Sequence, residues 1–249
     1  MDMRFQDRTA IITGAASGMG LLTSQEMAKE GAVVYMVDIN EAPLHESAQA
    51  ICSHGGRAVP CVCDVREYEQ IRAVVGQCMG EQGRVDIVIN FAGGCAARVW
   101  GLEDGSFTRL PLEVLDWGIQ VNFRAPMLFA RAVMEHMINQ KRGVIINIGS
   151  IDGVTGGAVD YSAEKSGISE GMTKALARIG APYGVRCCSV SPGPVLTRPA
   201  MSRMKTALGR AAEPIEIVKL VMYLCSDDAA FITGAHYLID GGRALLNNA

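Results

Sequence analysis

The sequence predicts an α/β protein folded as one domain, and three observations carry that prediction. Short β-rich runs alternate with helical patterns along the whole chain until seven strands have been counted, the pattern of a parallel sheet with crossover helices. The first run, Arg8-Thr-Ala-Ile-Ile-Thr13, leads straight into Gly14-Ala-Ala-Ser-Gly18-Met-Gly20 and a helical pattern ending near Gly31. Far downstream, Tyr161-Ser-Ala-Glu-Lys165 sets a phenol and an ammonium one helical turn apart on one face.

Composition removes several classes of function. At 249 residues and 49% hydrophobic, the chain is long enough for a sizeable core, and it contains no linker, low-complexity tract or internal repeat. A net charge of -3 with no basic block leaves no electrostatic footprint for nucleic acid or for an anionic membrane surface. The longest apolar runs fall short of the roughly 20 residues that span a bilayer. Asp2, Arg4, Asp7 and Arg8 interrupt any signal-peptide core, so a soluble, cytoplasmic protein is expected. Eight cysteines are scattered rather than patterned: Cys61-Val-Cys63 and Cys187-Cys188 alternate across strands, and Cys52, Cys78, Cys95 and Cys225 stand apart. Buried reduced thiols are the expectation. His45, His54, His136 and His236 share no ligand-like spacing, and no metal is expected.

Taken in order, the elements point to a dinucleotide site. Glycines in the first turn let the backbone approach a pyrophosphate, while the unpaired N–H groups and dipole of the next helix attract its charge. The second strand, Val33-Val-Tyr-Met-Val37, ends at Asp38, 18 residues beyond Gly20. A carboxylate there accepts hydrogen bonds from the adenosine ribose and repels a 2′-phosphate, favouring NAD over NADP; neither Ile39 nor Ser17 offers that phosphate a cation. The other role open to Asp38 is capping the helix that starts near Glu41 and runs to about His54. A third strand from Arg57 to Val62 is followed by Cys63-Asp64-Val65, where Asp64 is either an N-cap or a contact for the adenine amino group. After a helix to about Gln82, the strand Asp86-Ile-Val-Ile-Asn90 ends in Phe91-Ala-Gly-Gly94, small residues that leave room for a flat ligand.

Cys95 to Leu110, with Gly101, Gly105 and an exposed-looking Trp100, has no period and reads as a loop near the carboxyl edge of the sheet, either the substrate entrance or a solvated surface loop. Leu112 to Ile138 is a long helical stretch with apolar residues on nearly every face, so one face covers the sheet and the other is expected against a partner subunit. Inside it, Pro126 has no N–H for the carbonyl of Asn122, which leaves that oxygen open to an ordered water. Gly143 to Gly149 is the next strand, with Ser150 at its carboxyl end as a cap or as a donor to a substrate oxygen. Asp160 is a candidate N-cap for the helix that carries Tyr161 and runs to about Ala181. A free tyrosine with a pKa of about 10 is a poor base at neutral pH, and a neighbouring cation lowers that value, so Tyr161 and Lys165 form a candidate proton device. Val185 to Val190 is the sixth strand, Ser191-Pro-Gly-Pro194 turns back over the ligand edge, and residues 199–212, with Met201, Met204 and Leu208, read as a short amphipathic lid or a plain surface helix. Glu213-Pro214 opens a helix to Ser226, and Ala235 to Gly242 supplies the seventh strand and its turn.

In combination, Thr13 to Gly20, Asp64, Asn90-Phe-Ala-Gly93, Asn122, Ser150, Tyr161 with Lys165, Pro192-Gly193 and Asp240-Gly-Gly resemble the short-chain dehydrogenase/reductase family over essentially the whole chain. The resemblance implies a single doubly wound Rossmann domain over residues 1–249, with a mostly parallel seven-stranded sheet and helices on both faces. It implies a catalytic tetrad of Asn122, Ser150, Tyr161 and Lys165. In it Tyr161 exchanges the substrate proton, Ser150 holds the substrate oxygen, Lys165 holds the nicotinamide ribose and biases Tyr161, and Asn122 binds a water that leads protons away from Lys165. The implied cofactor is NAD, held by Gly14, Ser17, Gly18, Met19, Gly20, Asp38, Ile39, Asp64, Val65, Asn90, Ala92, Gly93, Tyr161, Lys165, Pro192, Gly193, Val195 and Thr197.

The implied activity is hydride transfer between NAD(H) and a secondary alcohol or ketone, in a homotetramer packed through the helices around Phe123 and Ile168. Two competing readings are a reductase of carrier-bound 3-oxoacyl thioesters, which would favour NADPH, and a non-enzymatic dinucleotide sensor. Three features depart from the family pattern. Phe91 stands where a second asparagine is usual, the Ser150-to-Tyr161 interval is about two residues short, and the loop after Cys95 is long while the lid after Thr197 is short. Together they imply an unusual substrate pocket.

Overall fold

The computed structural model describes residues 3–102 and 106–246, so Asp2 and Gly105, both used above, lie outside the described residues. In chain order the elements are β1 (Thr9–Thr13), α1 (Gly18–Lys29), β2 (Val33–Asp38), α2 (Glu41–Ser53), β3 (Arg57–Val62), α3 (Tyr68–Gln82), β4 (Ile87–Asn90) and the short α4 (Ala96–Val99). They continue with α5 (Leu112–Gly118), α6 (Ala125–Gln140), β5 (Gly143–Ile148), the short α7 (Asp152–Thr155), α8 (Val159–Gly167), α9 (Thr173–Gly180), β6 (Val185–Pro192), α10 (Pro214–Cys225) and β7 (His236–Ile239). The seven strands form one sheet in the order β3-β2-β1-β4-β5-β6-β7, every pair parallel.

Because the side chains of a strand alternate, each central strand feeds two cores at once. Ile12, Val34, Met36, Ile89 and Ile146 face α1, α2 and α10, where Met27, Leu44 and Ile217 meet them. Ile11, Tyr35, Val37, Val88 and Ile145 face α3, α6 and α9, against Ile71, Phe129 and Ala177. The order reverses between β1 and β4, so the loops leaving those strands part to opposite faces and open a crevice at their carboxyl ends.

Several local expectations need correction. The long helix after Leu112 is continuous in path but widens over Ile119–Arg124, where the Ala125 amide reaches back five residues to the Gln120 carbonyl. This wider turn sits just ahead of Pro126, the residue that cannot donate to the ladder. The helix bearing Tyr161 widens likewise over Ile168–Met172. Asp160 is not its N-cap: Ala158 takes the extended capping conformation, and Asp160 falls in the first turn, where an acid complements the dipole. The segment after Cys95 is not wholly irregular, since it contains α4 and a 3-10 turn at Phe107–Arg109; Trp100 is exposed as expected. Residues 199–212 do not form an amphipathic helix. A 3-10 turn ends at Arg203, and Thr206 Oγ1 both donates to the Arg210 carbonyl at 2.7 Å and accepts from its amide, closing a turn instead. Six cysteines are buried as thiols, whereas Cys52 is exposed and Cys95 half-buried. Among the described residues no helix is long and apolar enough to cross a membrane.

Candidate active site

Two adjoining hollows occupy the crevice. A groove of about 600 Å³ follows the carboxyl ends of β1, β2 and β4 and is lined by Gly14, Ser17, Gly18, Met19, Gly20, Asp38, Ile39, Asp64, Val65, Ala92 and Gly93. A cavity of about 390 Å³ continues from it over β5 and β6 and is lined by Ser150, Tyr161, Lys165, Pro192, Gly193 and Val195. Met19, Phe91, Gly93, Arg98, Thr197 and Arg198 line both. The structure therefore brings together every residue assigned above to catalysis or cofactor binding except Asn122 and Asn90, whose side chains lie behind the lining.

The groove is shaped by backbone that side chains would block. Gly14 has φ +67°, and a Cβ there would lie 3.0 Å from the Ala92 amide nitrogen; a Cβ on Gly20 would overlap the Gly14 carbonyl. The Ala92 amide donates to Thr13 Oγ1 at 3.0 Å, holding the end of β4 to the end of β1. Asp38 closes the far end. Its Oδ2 accepts from the Ala16 amide at 3.1 Å and its Oδ1 accepts from the Asn40 amide and side chain, so it ties β2 to the glycine turn and is not the cap of α2. Asp64 is not an N-cap either, because α3 begins at Tyr68 behind Glu67. It forms a local pair with Arg66, whose guanidinium holds the Asp64 carboxyl below its ordinary range. Asn90, expected at the cofactor, turns into the sheet and donates to Asn147 Oδ1 at 2.9 Å; Asn147 in turn donates to Thr173 Oγ1 at 3.1 Å. Those bonds brace β4 and β5 one residue before Phe91.

Ser150, Tyr161 and Lys165 converge in the cavity. The Asp152 amide donates to Ser150 Oγ at 3.1 Å, which fixes the hydroxyl oxygen and leaves its proton for the phenol or for a ligand oxygen. Lys165 is buried, donates to the Ile148 carbonyl at 2.8 Å, and places Nζ 5.6 Å from the centre of the Tyr161 ring. The expected lowering of the Tyr161 pKa is not met. Burial pushes the phenol up to about 12, and the opposing hydrogen bond with Ser150 does not offset it. Burial also brings the Lys165 ammonium down to about 8, against the raising influence of Glu164. The ammonium sits over the ring and on a carbonyl instead of at the phenol oxygen, so desolvation dominates.

Asn122 stands behind this cavity. It accepts from the Gly94 amide at 2.8 Å and donates to the Gly94 carbonyl at 2.9 Å and to Glu164 Oε2 at 2.7 Å. A Cβ on Gly93 would collide with the Asn122 amide oxygen, which is why the strand end passes so close.

This fold has many counterparts. A family model described as Enoyl-(Acyl carrier protein) reductase matches residues 14–244. The chain belongs to the short-chain dehydrogenase/reductase family. Within the family it is 35% identical to the cyclopentanol dehydrogenase of Comamonas testosteroni over 96% of this chain and 98% of that protein. A short-chain type dehydrogenase/reductase from Mycobacterium marinum superposes with a TM-score of 0.88 at 31% identity, over 97% of each chain. A 3-oxoacyl-[acyl-carrier protein] reductase from Brucella melitensis, solved with bound NAD, gives 0.85 at 29% identity over 96% of this chain and 93% of that one.

Three residues of this short-chain dehydrogenase/reductase escape a reading of the sequence. Glu164 is buried beside Lys165, and Arg98 and Arg198 stand where groove and cavity meet. Glu164 passes for a solvated helix residue until Asn122, 42 residues away, is seen to bond it. Arg198 directly follows Thr197, the only local hint available; for Arg98 there is none.

Proposed function

We propose that the chain is an NAD(H)-dependent oxidoreductase acting on a secondary alcohol or ketone, with Tyr161 as general acid and base. The convergence of Ser150, Tyr161 and Lys165 in a cavity that opens into the glycine-turn groove carries this reading. The groove fits a dinucleotide. Its floor at Gly14 and Gly20 has no room for side chains, and the Asp38 carboxylate, with three donors on its two oxygens, keeps acceptor capacity for a ribose hydroxyl. The negative charge at Asp38 disfavours a 2′-phosphate, which supports NAD over NADP.

Bound NAD supplies the hydride acceptor, and NADH the donor. At neutral pH Tyr161 holds its proton, the form that donates to a ketone oxygen during reduction. Ser150, its oxygen fixed by the Asp152 amide, aims its own proton at that same substrate oxygen. In oxidation Tyr161 takes the hydroxyl proton, and the Lys165 charge over the ring stabilises the phenolate. We assign Asn122 the role of holding the water that carries protons away from Lys165. Pro126, without an N–H, and the widened turn ahead of it support an available Asn122 carbonyl.

The direct test is NADH formation against sterol, polyol, sugar and hydroxy-acid panels, with Tyr161→Phe as control; turnover surviving that change removes the mechanism. A second reading, reduction of a 3-oxoacyl thioester, draws on the likeness to the Brucella melitensis protein, and the same assay run backwards with acetoacetyl-CoA decides it. A homotetramer in the cytoplasm completes the proposal. Exposed Leu112, Ile119, Met127 and Ile179 on the helices flanking Phe123 and Ile168 support it, and sedimentation as a monomer would refute it.

A further inference from the structure

The cavity that holds Tyr161 is cationic. Arg98, Lys165 and Arg198 line it together with a single carboxylate, Asp152, three positive charges against one negative. Lys165 is committed to the Ile148 carbonyl and the phenol ring, but the two arginines are not committed to any acid. Neither makes an ion pair among the described residues, and the one polar contact of Arg198 among them is a weak one to Met201 Sδ at 3.7 Å. Burial first, and then the Arg98 charge beside it, hold the Arg198 guanidinium below its ordinary range. Asp152 feels the Arg98 charge but forms no ion pair with it, so the two neighbouring guanidinium groups still repel each other, and an oxyanion set between them relieves that repulsion while matching their planar donors.

Resting on the oxidoreductase reading, we propose that Arg98 and Arg198 clamp an oxyanion of the substrate, which is therefore a secondary alcohol or ketone bearing a carboxylate or phosphate group. Their position fits this role, since both line the seam between the groove and the cavity that holds Ser150 and Tyr161, one carried by α4 and one by the segment after β6. Met201 and Met204 line the same cavity and offer adaptable apolar contact to the carbon skeleton. In the oxidative direction the carbinol C–H and O–H bonds break, the hydride passing to NAD+ and the proton to Tyr161, while the clamped anion is unchanged. Asp152, in the same cavity, disfavours a second negative charge there, so the clamp selects a substrate with one anionic group.

The experiment compares kcat/KM for 3-hydroxybutyrate and gluconate with that for their neutral amides, and for glycerol 3-phosphate with that for glycerol. Calorimetry measures the same compounds binding to the protein saturated with NADH. We expect the anion of one pair to be preferred about tenfold or more, equivalent to about 1.4 kcal/mol, the pair showing which oxyanion is meant. Arg98→Gln and Arg198→Gln should each collapse that ratio, Arg198→Lys should restore part of it, and Arg178→Gln, on the exposed side of α9, should leave it unchanged. Equal or better use of the neutral compounds overturns the clamp and leaves the oxidoreductase reading standing. Arginine variants that raise only the KM for NAD also overturn it, assigning the pair to the cofactor. Arginine-dependent binding of the anions without turnover of any alcohol keeps the clamp and removes the oxidoreductase reading. Absence of both binding and turnover overturns both.

Discussion

Asn122 Nδ2 donates to Glu164 Oε2 at 2.7 Å, and through that bond the end of β4 is strutted to the helix that carries Tyr161 and Lys165. The same side chain clasps Gly94 through both its amide and its carbonyl. The other Glu164 oxygen has no hydrogen-bond partner among the described residues. Burial pushes this carboxyl up to about 7; Asp160 adds to the rise, while the Asn122 bond and the Lys165 charge oppose it.

Glu164 should therefore give stability a dependence on pH that its amide lacks. Its folded pKa lies above the ordinary 4.5, so its contribution is fully present below that value and is lost as pH rises through about 7. Lys165, depressed to about 8, contributes in the opposite sense, losing stability only as pH falls through that value. Between pH 5 and 7 the Tm of the wild type should fall relative to that of Glu164→Gln. A constant difference across that interval would contradict the assignment. Removing the Glu164 charge should also lower the Lys165 pKa further, moving the alkaline limb of kcat to lower pH.

Gly118→Ala reverses an ordinary rule. Alanine in a helix is better than glycine by about 1 kcal/mol, but a Cβ at Gly118 would lie 2.5 Å from Glu164 Oε1. The overlap should win, with a net loss of roughly 1–3 kcal/mol in stability and a fall in kcat as Asn122 shifts. Adding Glu164→Ala should recover the stability but not the kcat, as denaturant melts and assays on the double variant would show.

Tyr161→Phe should lower kcat by about 10²–10⁴-fold, the range for loss of a positioned acid or base, with little change in NADH affinity. Cofactor fluorescence titration beside steady-state kinetics separates the two. Comparable losses in kcat and in NADH affinity would mean that the phenol holds the cofactor instead of moving a proton.

Asp38→Asn keeps an acceptor for the Ala16 amide but removes the charge. The ratio of kcat/KM for NAD over NADP should fall by about tenfold or more, a difference of about 1.4 kcal/mol. An unchanged ratio would show that Asp38 serves only to join β2 to the glycine turn.

How far the sequence could be read depended on the range of the interactions involved. The glycine turn, Asp38, Ser150 and the Tyr161–Lys165 pair were legible because each depends on its own strand end or helical turn. Of the two roles open to Asp64 the structure removes the N-cap, and it removes Asp160 as a cap as well, because neighbouring backbone sets where a helix starts. The family resemblance implies Asn90 at the cofactor; pairing with β5 adds that its side chain meets Asn147. The lid failed as a helix because Thr206 closes a turn with Arg210.

By itself, then, the sequence determined the alternation of strands and helices, the strand-end positions of the chemistry-bearing residues and the family to which the chain belongs. Local periodicity and short motifs carry that information. Tertiary structure alone decided which charges are dry and which face one another. Desolvation raised Tyr161 where the neighbouring lysine was expected to lower it, buried Glu164 against Gly118 and Asn122, and brought Arg98 and Arg198 to one cavity from positions 100 residues apart. Burial and through-space charge depend on the packed chain, and no spacing along it encodes them.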